Sequence, residues 1–206
     1  RMNELMVKEF DIGLSAEALV LLDMFQLSHY GVDLDEINNT EELSVTVAAS
    51  IVDRLMEQSM PVGLATNAAQ DPIYRPDSSP EQRGRLMETL SEVRAFGHRP
   101  LQEFIYAVRP HLNQYNALTL VTSSVGTQWV ASLNALRRQG VEVSVVLVDR
   151  SSFGSPTNMS VPLEALSANL IPVYMVRQGD SLNEALQVPV HEIPRSWTAG
   201  VAGGVE

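Results

Sequence analysis

The chain contains no cysteine. That one absence excludes disulfides, thiolate metal sites and cysteine nucleophiles together, and it is compatible with a cytoplasmic setting. No apolar run approaches the roughly 18 residues that a membrane-spanning helix requires, and no basic segment leading into a short apolar core is visible. No G-x-G-x-x-G follows a strand-like stretch, and no phosphate loop carries its lysine. No G-x-S-x-G elbow marks a nucleophilic serine. The four histidines, His29, His98, His111 and His191, are scattered without the i,i+4 pairing of a helical zinc site, so each reads as a surface or loop residue. Positive charge is also scarce. The net charge of −11 opposes nucleic acid and anionic membrane surfaces and better suits a basic protein partner.

The residues that are present describe a well-packed α/β domain. At 206 residues with 45% hydrophobic side chains, one compact unit with a sizeable core is expected. Ala18 to Leu22 is apolar at every position, the pattern of a central parallel strand covered on both faces. Residues 5–12 mix apolar and charged side chains and read as a half-exposed edge strand. Asn39 to Gln58 predicts a long helix, with Asn39 as cap and Glu42 at capping-box spacing. Its apolar rows run through Leu43, Val47, Ile51 and Leu55 and through Val45, Ala49, Val52 and Met56. Further strands are predicted at 61–66, 117–122, 141–149 and 171–176. Helices are predicted from Pro80, from Pro100, over 126–139, from Pro162 and from Asp180. Residues 67–78 read as a polar loop.

Strands separated by helices require right-handed crossovers and a doubly wound, mostly parallel sheet with helices on both faces, and an antiparallel edge strand is expected in addition. One domain is expected over 1–187, followed by a flexible tail over 188–206. The chain opens on Arg1-Met2 and runs straight into strand-like sequence, which reads as a piece of something longer.

Asp23 stands at the carboxyl end of the central strand, where open α/β sheets place their ligands. The neighbours that could have helped to hold a cation are Phe25 and Leu27, which bring no oxygen. The turn Ser123-Ser124-Val125-Gly126-Thr127 lies between a strand and a helix, where free amides suit an anion. The loop Asp33 to Asn38 places Ile37 and Asn38 where a calcium loop needs a ligand and a glycine, so it reads as a solvated acidic rim.

Several segments together resemble one bacterial family: Glu4 to Phe10, the strand ending at Asp23, Thr40-Glu41-Glu42-Leu43, Pro61-Val62-Gly63-Leu64, Arg99-Pro100-Leu101, Gly140 to Val143 and Ile171 to Tyr174. This is domain-of-unknown-function family fifty-eight, whose body is similar to a von Willebrand factor A domain. The resemblance implies a Rossmann-like α/β domain with two membrane helices upstream, hence a cytoplasmic part of a membrane-anchored protein. It also implies a MoxR-type AAA+ ATPase as partner and a role in assembly or maturation of other proteins. Von Willebrand factor A domains carry a metal-ion-dependent adhesion site. On that pattern Asp23 matches the first acid, Phe25 and Leu27 replace its two serines, Arg99 takes the threonine position and Ser123 the second acid. The resemblance therefore implies a degenerate site without metal or other cofactor, in which the Arg99 guanidinium serves as counter-charge to Asp23.

The expectation is a non-catalytic interaction domain that binds a protein through Asp23, Phe25, Leu27, Arg99, Ser123 and Ser124. The alternative is an enzyme binding a phosphate-bearing small molecule at the same rim.

Overall fold

The structure, a computed structural model, describes residues 17–31, 39–114 and 117–190. Six strands form one sheet: β1 (Ala18–Leu22), β2 (Val62–Thr66), β3 (Ile73–Asp77), β4 (Ala117–Thr122), β5 (Glu142–Val148) and β6 (Val173–Val176). Their order is β3-β2-β1-β4-β5-β6, with β3 antiparallel and the rest parallel. Helices α1 (Thr40–Glu57), α2 (Pro80–Glu92), α3 (Leu101–Val108), α4 (Val130–Arg138), α5 (Ser160–Ala168) and the short α6 (Leu182–Ala185) complete the layers.

Every residue of β1 and β2 is buried, because helices cover both faces of the sheet. Side chains alternate between the two faces, so β1 feeds two separate cores. Leu19 and Leu21 join Phe104, Trp129, Leu133 and Leu163 beneath α3, α4 and α5. Val20 and Leu22 join Val47, Val52, Leu86 and Leu90 beneath α1 and α2. The Asn39 side chain accepts from the Glu42 amide at 3.0 Å and starts α1 as expected. Burial on α1 centres on Ser44, Ala48 and Val52, and the two predicted apolar rows flank that line, mostly half-buried.

Four expectations are corrected. Residues 73–77 are not loop but the antiparallel edge strand, pairing Tyr74 with Leu64 and Ile73 with Ala65. Pro76 fits there because an edge residue needs no ladder donor. The helix expected from Gly126 starts only at Val130, since the Ser124 amide is taken by the Thr122 hydroxyl and residues 123–129 stay irregular. The last helix is entered through Ser181, while the Asp180 carboxylate accepts from the Arg177 amide instead. Of the four histidines read as surface or loop residues, His29 is buried. The expected strand over 5–12 and the acidic loop Asp33 to Asn38 lie outside the described residues. So does most of the expected tail, but Val190 packs against the core and its amide donates to the Val173 carbonyl at 2.6 Å.

Chain connections run one way from β1 to β2 and the other way from β4 through β5 to β6. The reversal falls between β1 and β4, the point at which open α/β sheets place their ligands.

Candidate functional site at the carboxyl rim

The sheet register lines up the centre of this rim. Leu21 pairs with Ala65 on one side and with Leu120 on the other. Two residues further along, the same alignment brings Asn67, Asp23 and Thr122 level across three adjacent strands. All three are fully buried. Asp23 Oδ1 accepts from Asn67 Nδ2 at 3.0 Å and from the Phe25 amide at 3.2 Å. Asp23 Oδ2 accepts from the Thr122 hydroxyl at 2.7 Å. The Asn67 amide is itself committed on every side. Its Oδ1 accepts from the Met24 amide at 2.5 Å, and its Nδ2 also donates to the Arg99 carbonyl at 2.9 Å. Its orientation follows from that network, because only Nδ2 can face two acceptors.

His29 anchors the loop that leaves Asp23. Its Nε2 lies 2.8 Å from the Asp23 carbonyl, which only accepts, so Nε2 carries the proton and Nδ1 is the acceptor. The hydroxyls of Thr40 and Ser123 lie 3.3 Å and 3.4 Å from Nδ1. Ser123 donates to the Ser28 carbonyl at 2.6 Å, and Thr40 accepts from the Tyr30 amide at 2.8 Å. Burial pushes the His29 pKa down, against the opposing pull of Asp23 and Glu41. The imidazole is therefore neutral at pH 7.

Arg99 does not serve Asp23 as counter-charge, which corrects the expectation from sequence. Its guanidinium reaches Asp71 at 2.9 Å, and only its carbonyl joins the Asp23 network through Asn67. The spacing of Gly97 to Leu101 gives no hint that Asn67, on a different loop, is the partner. Ser123 is buried in the His29 cluster, and Ser124 is half-buried beside it. Phe25 is half-buried in a bridge to Gly97, and Leu27 is 71% exposed.

Sequence reasoning missed Phe96, which is 61% exposed. The segments 24–27 and 95–98 are tied by Gly97 N to Met24 O and by Gln26 N to Gly97 O, both at 3.0 Å. Gly97 lies so close to Asn67 that a Cβ there would stand 1.8 Å from the Asn67 carbonyl. The signal that could have found Phe96 was a large apolar residue beside a glycine in a short loop between two helices.

Von Willebrand factor A domains that keep their adhesion site hold a divalent cation at the position of Asp23, and the side chains around it here do not fit one. Magnesium requires near-octahedral oxygen ligands, whereas Asn67 and Phe25 present N–H groups and both carboxylate oxygens are already served. Among the described residues, no group of three His, Asp or Glu side chains could hold a metal.

No protein-family profile matches the sequence, and a comparison with curated proteins returns no match. Solved structures do match in fold. BatB, a conserved hypothetical protein from Bacteroides thetaiotaomicron, superposes with a TM-score of 0.59 at 16% identity, over 84% of this chain and 95% of that one. The VWA domain of SpRpn10 gives 0.58 at 11% identity over 88% and 100%. An aerotolerance-related membrane protein from Bacteroides fragilis gives 0.52 at 16% over 82% and 94%. The chain has a von Willebrand factor A-like α/β fold.

Proposed function

We propose that this chain is a non-catalytic protein–protein interaction domain whose contact surface is the carboxyl rim of its sheet. The observation that carries the reading is the pair Leu27 and Phe96. Both are large, apolar and mostly exposed, and they stand on two loops locked together by backbone hydrogen bonds. Rigid apolar side chains displayed on a fixed platform are what interface hot spots are built from. A von Willebrand factor A-like fold, which often mediates protein contacts, supports the same reading.

In this reading Asp23 marks a degenerate metal-ion-dependent adhesion site, with Asn67 and Thr122 filling the place of a cation. The partner is a MoxR-type AAA+ ATPase, and the pair acts in assembly or maturation of other proteins. That assignment rests on the sequence resemblance alone. The domain belongs to a membrane-anchored protein and lies in the cytoplasm. The same resemblance supports this, as does the description of one structural neighbour as a membrane protein. Among the described residues no helix is long and apolar enough to cross a membrane.

The test is binding of the purified chain to the MoxR-type ATPase encoded in the same genome, measured by interferometry. The double substitution Leu27→Ser with Phe96→Ser is expected to weaken binding by tenfold or more, about 1.4 kcal/mol, with the melting temperature unchanged. Unaltered affinity in the double variant refutes the rim as the contact surface. Absence of binding by the wild-type chain refutes the ATPase assignment.

A further inference from the structure

The ends of β5 and β6 hold two guanidinium groups and one buried carboxylate. Asp149 is that carboxylate, and its acceptors are already used. Oδ1 takes the amide and the hydroxyl of Ser151 at 3.0 Å and 2.6 Å, and Oδ2 takes Arg177 Nε at 3.2 Å. Arg150, the next residue in the chain, receives nothing from it. Among the described residues no carboxylate lies within ion-pair distance of Arg150, and its Nε is buried with no acceptor.

The guanidinium is nonetheless held in place, 5.7 Å above the centre of the Tyr30 ring. Tyr30 is fixed in turn, its hydroxyl donating to the Gly154 carbonyl at 3.2 Å and its amide to Thr40. His29, the adjacent buried base, is neutral and adds no repulsion. An arginine stays charged even when partly desolvated, so this corner carries an oriented positive charge with no carboxylate partner among the described residues. All of this lies on the carboxyl rim of the sheet, the side on which doubly wound sheets bind ligands.

We infer that Arg150, stacked on Tyr30, is an oxyanion-binding site. A planar fork of this kind recognises carboxylate and phosphate oxygens bidentately. The oxyanion comes either from an acidic side chain of a protein or from a free small molecule. The inference does not depend on the docking surface at Leu27 and Phe96.

The test is an NMR titration of the full chain, following the Nε–Hε signals of its 13 arginines. The probes are sodium acetate, inorganic phosphate and a glutamate-rich decapeptide, each matched to sodium chloride for ionic strength. One signal, absent in Arg150→Lys, is expected to shift saturably while the others stay still. Tyr30→Leu should weaken that response about fivefold without removing the charge. Leu27→Ser should leave it intact, which separates failure here from failure of the docking reading. Half-saturation by the peptide at least tenfold below acetate assigns the oxyanion to a protein side chain. Half-saturation by phosphate below both assigns it to a small molecule. If the Arg150 signal follows only the chloride control up to about 50 mM of every probe, a regime weaker than millimolar affinity, the inference is overturned. Equal movement of all the arginine signals overturns it too.

Discussion

Asn67 is the residue on which the rim depends. A single amide side chain satisfies the Met24 amide, the Asp23 carboxylate and the Arg99 carbonyl, and thereby joins three loops. Asn67→Ala leaves a buried carboxylate short of a donor and two backbone groups unserved. The expected loss of stability is about 2–4 kcal/mol, measurable by urea denaturation, and a loss below about 0.5 kcal/mol would contradict the network. His29 makes stability depend on pH. Burial holds its folded pKa below the unfolded value of about 6.5. As pH falls through that value, the unfolded chain takes up a proton that the folded chain refuses. This contribution is therefore complete above about pH 6.5 and is lost toward acid, at no more than about 1.4 kcal/mol per pH unit. Denaturation midpoints at pH 7.5 and 5.5 should fall further for wild type than for His29→Gln, and equal differences would exclude His29 as the source.

At the scale of elements, the rim is made by a connection rather than by a strand or helix. Residues 93–100 pass from α2 to α3 and lay Gly97 against Met24, Gln26 and Asn67. Glycine is required there for close approach. Gly97→Ala would press a methyl group against the Asn67 carbonyl and part the two loops. The expected cost is about 2–4 kcal/mol, and calorimetry of the variant checks it, since an unchanged melting point would mean that the loops need not touch. Most elements could be read from sequence because their own patterns are strong. The apolar run Ala18–Leu22 has the pattern of a central strand, and Asn39 and Ser79 each cap the helix that follows. The edge strand β3 could not be read. Arg75, Pro76 and Asp77 carry no strand signal, and their extended form comes from pairing with β2.

Considered as a whole molecule, the rim sits at one end and the ends of the described chain at the other. Glu17 accepts from the Ala117 amide at the amino edge of the sheet, and Val190 lies beside Val173, the first residue of β6. A cation site at Asp23 would couple this entire unit to magnesium. A metal bound a hundredfold above its dissociation constant adds about 2.7 kcal/mol to stability, or several degrees in a protein of this size. Millimolar magnesium should instead move the melting temperature by less than about one degree. A larger rise that chelator reverses would show that Asp23, despite its amide and hydroxyl partners, binds metal.

The sequence by itself determined the fold, since hydrophobic period and capping residues are local properties that a reader can count. It also placed Asp23 at the carboxyl end of the central strand and put hydrocarbon at Phe25 and Leu27. Tertiary structure alone decided what Asp23 touches. Asn67 and Thr122 are 44 and 99 residues away from it, and only the register of three parallel strands brings them level. The same holds for Arg99 and Arg150, whose charges look alike in the sequence. One is neutralised by Asp71 and the other is left facing Tyr30, because the partner of a side chain is chosen by packing in space and not by its place along the chain.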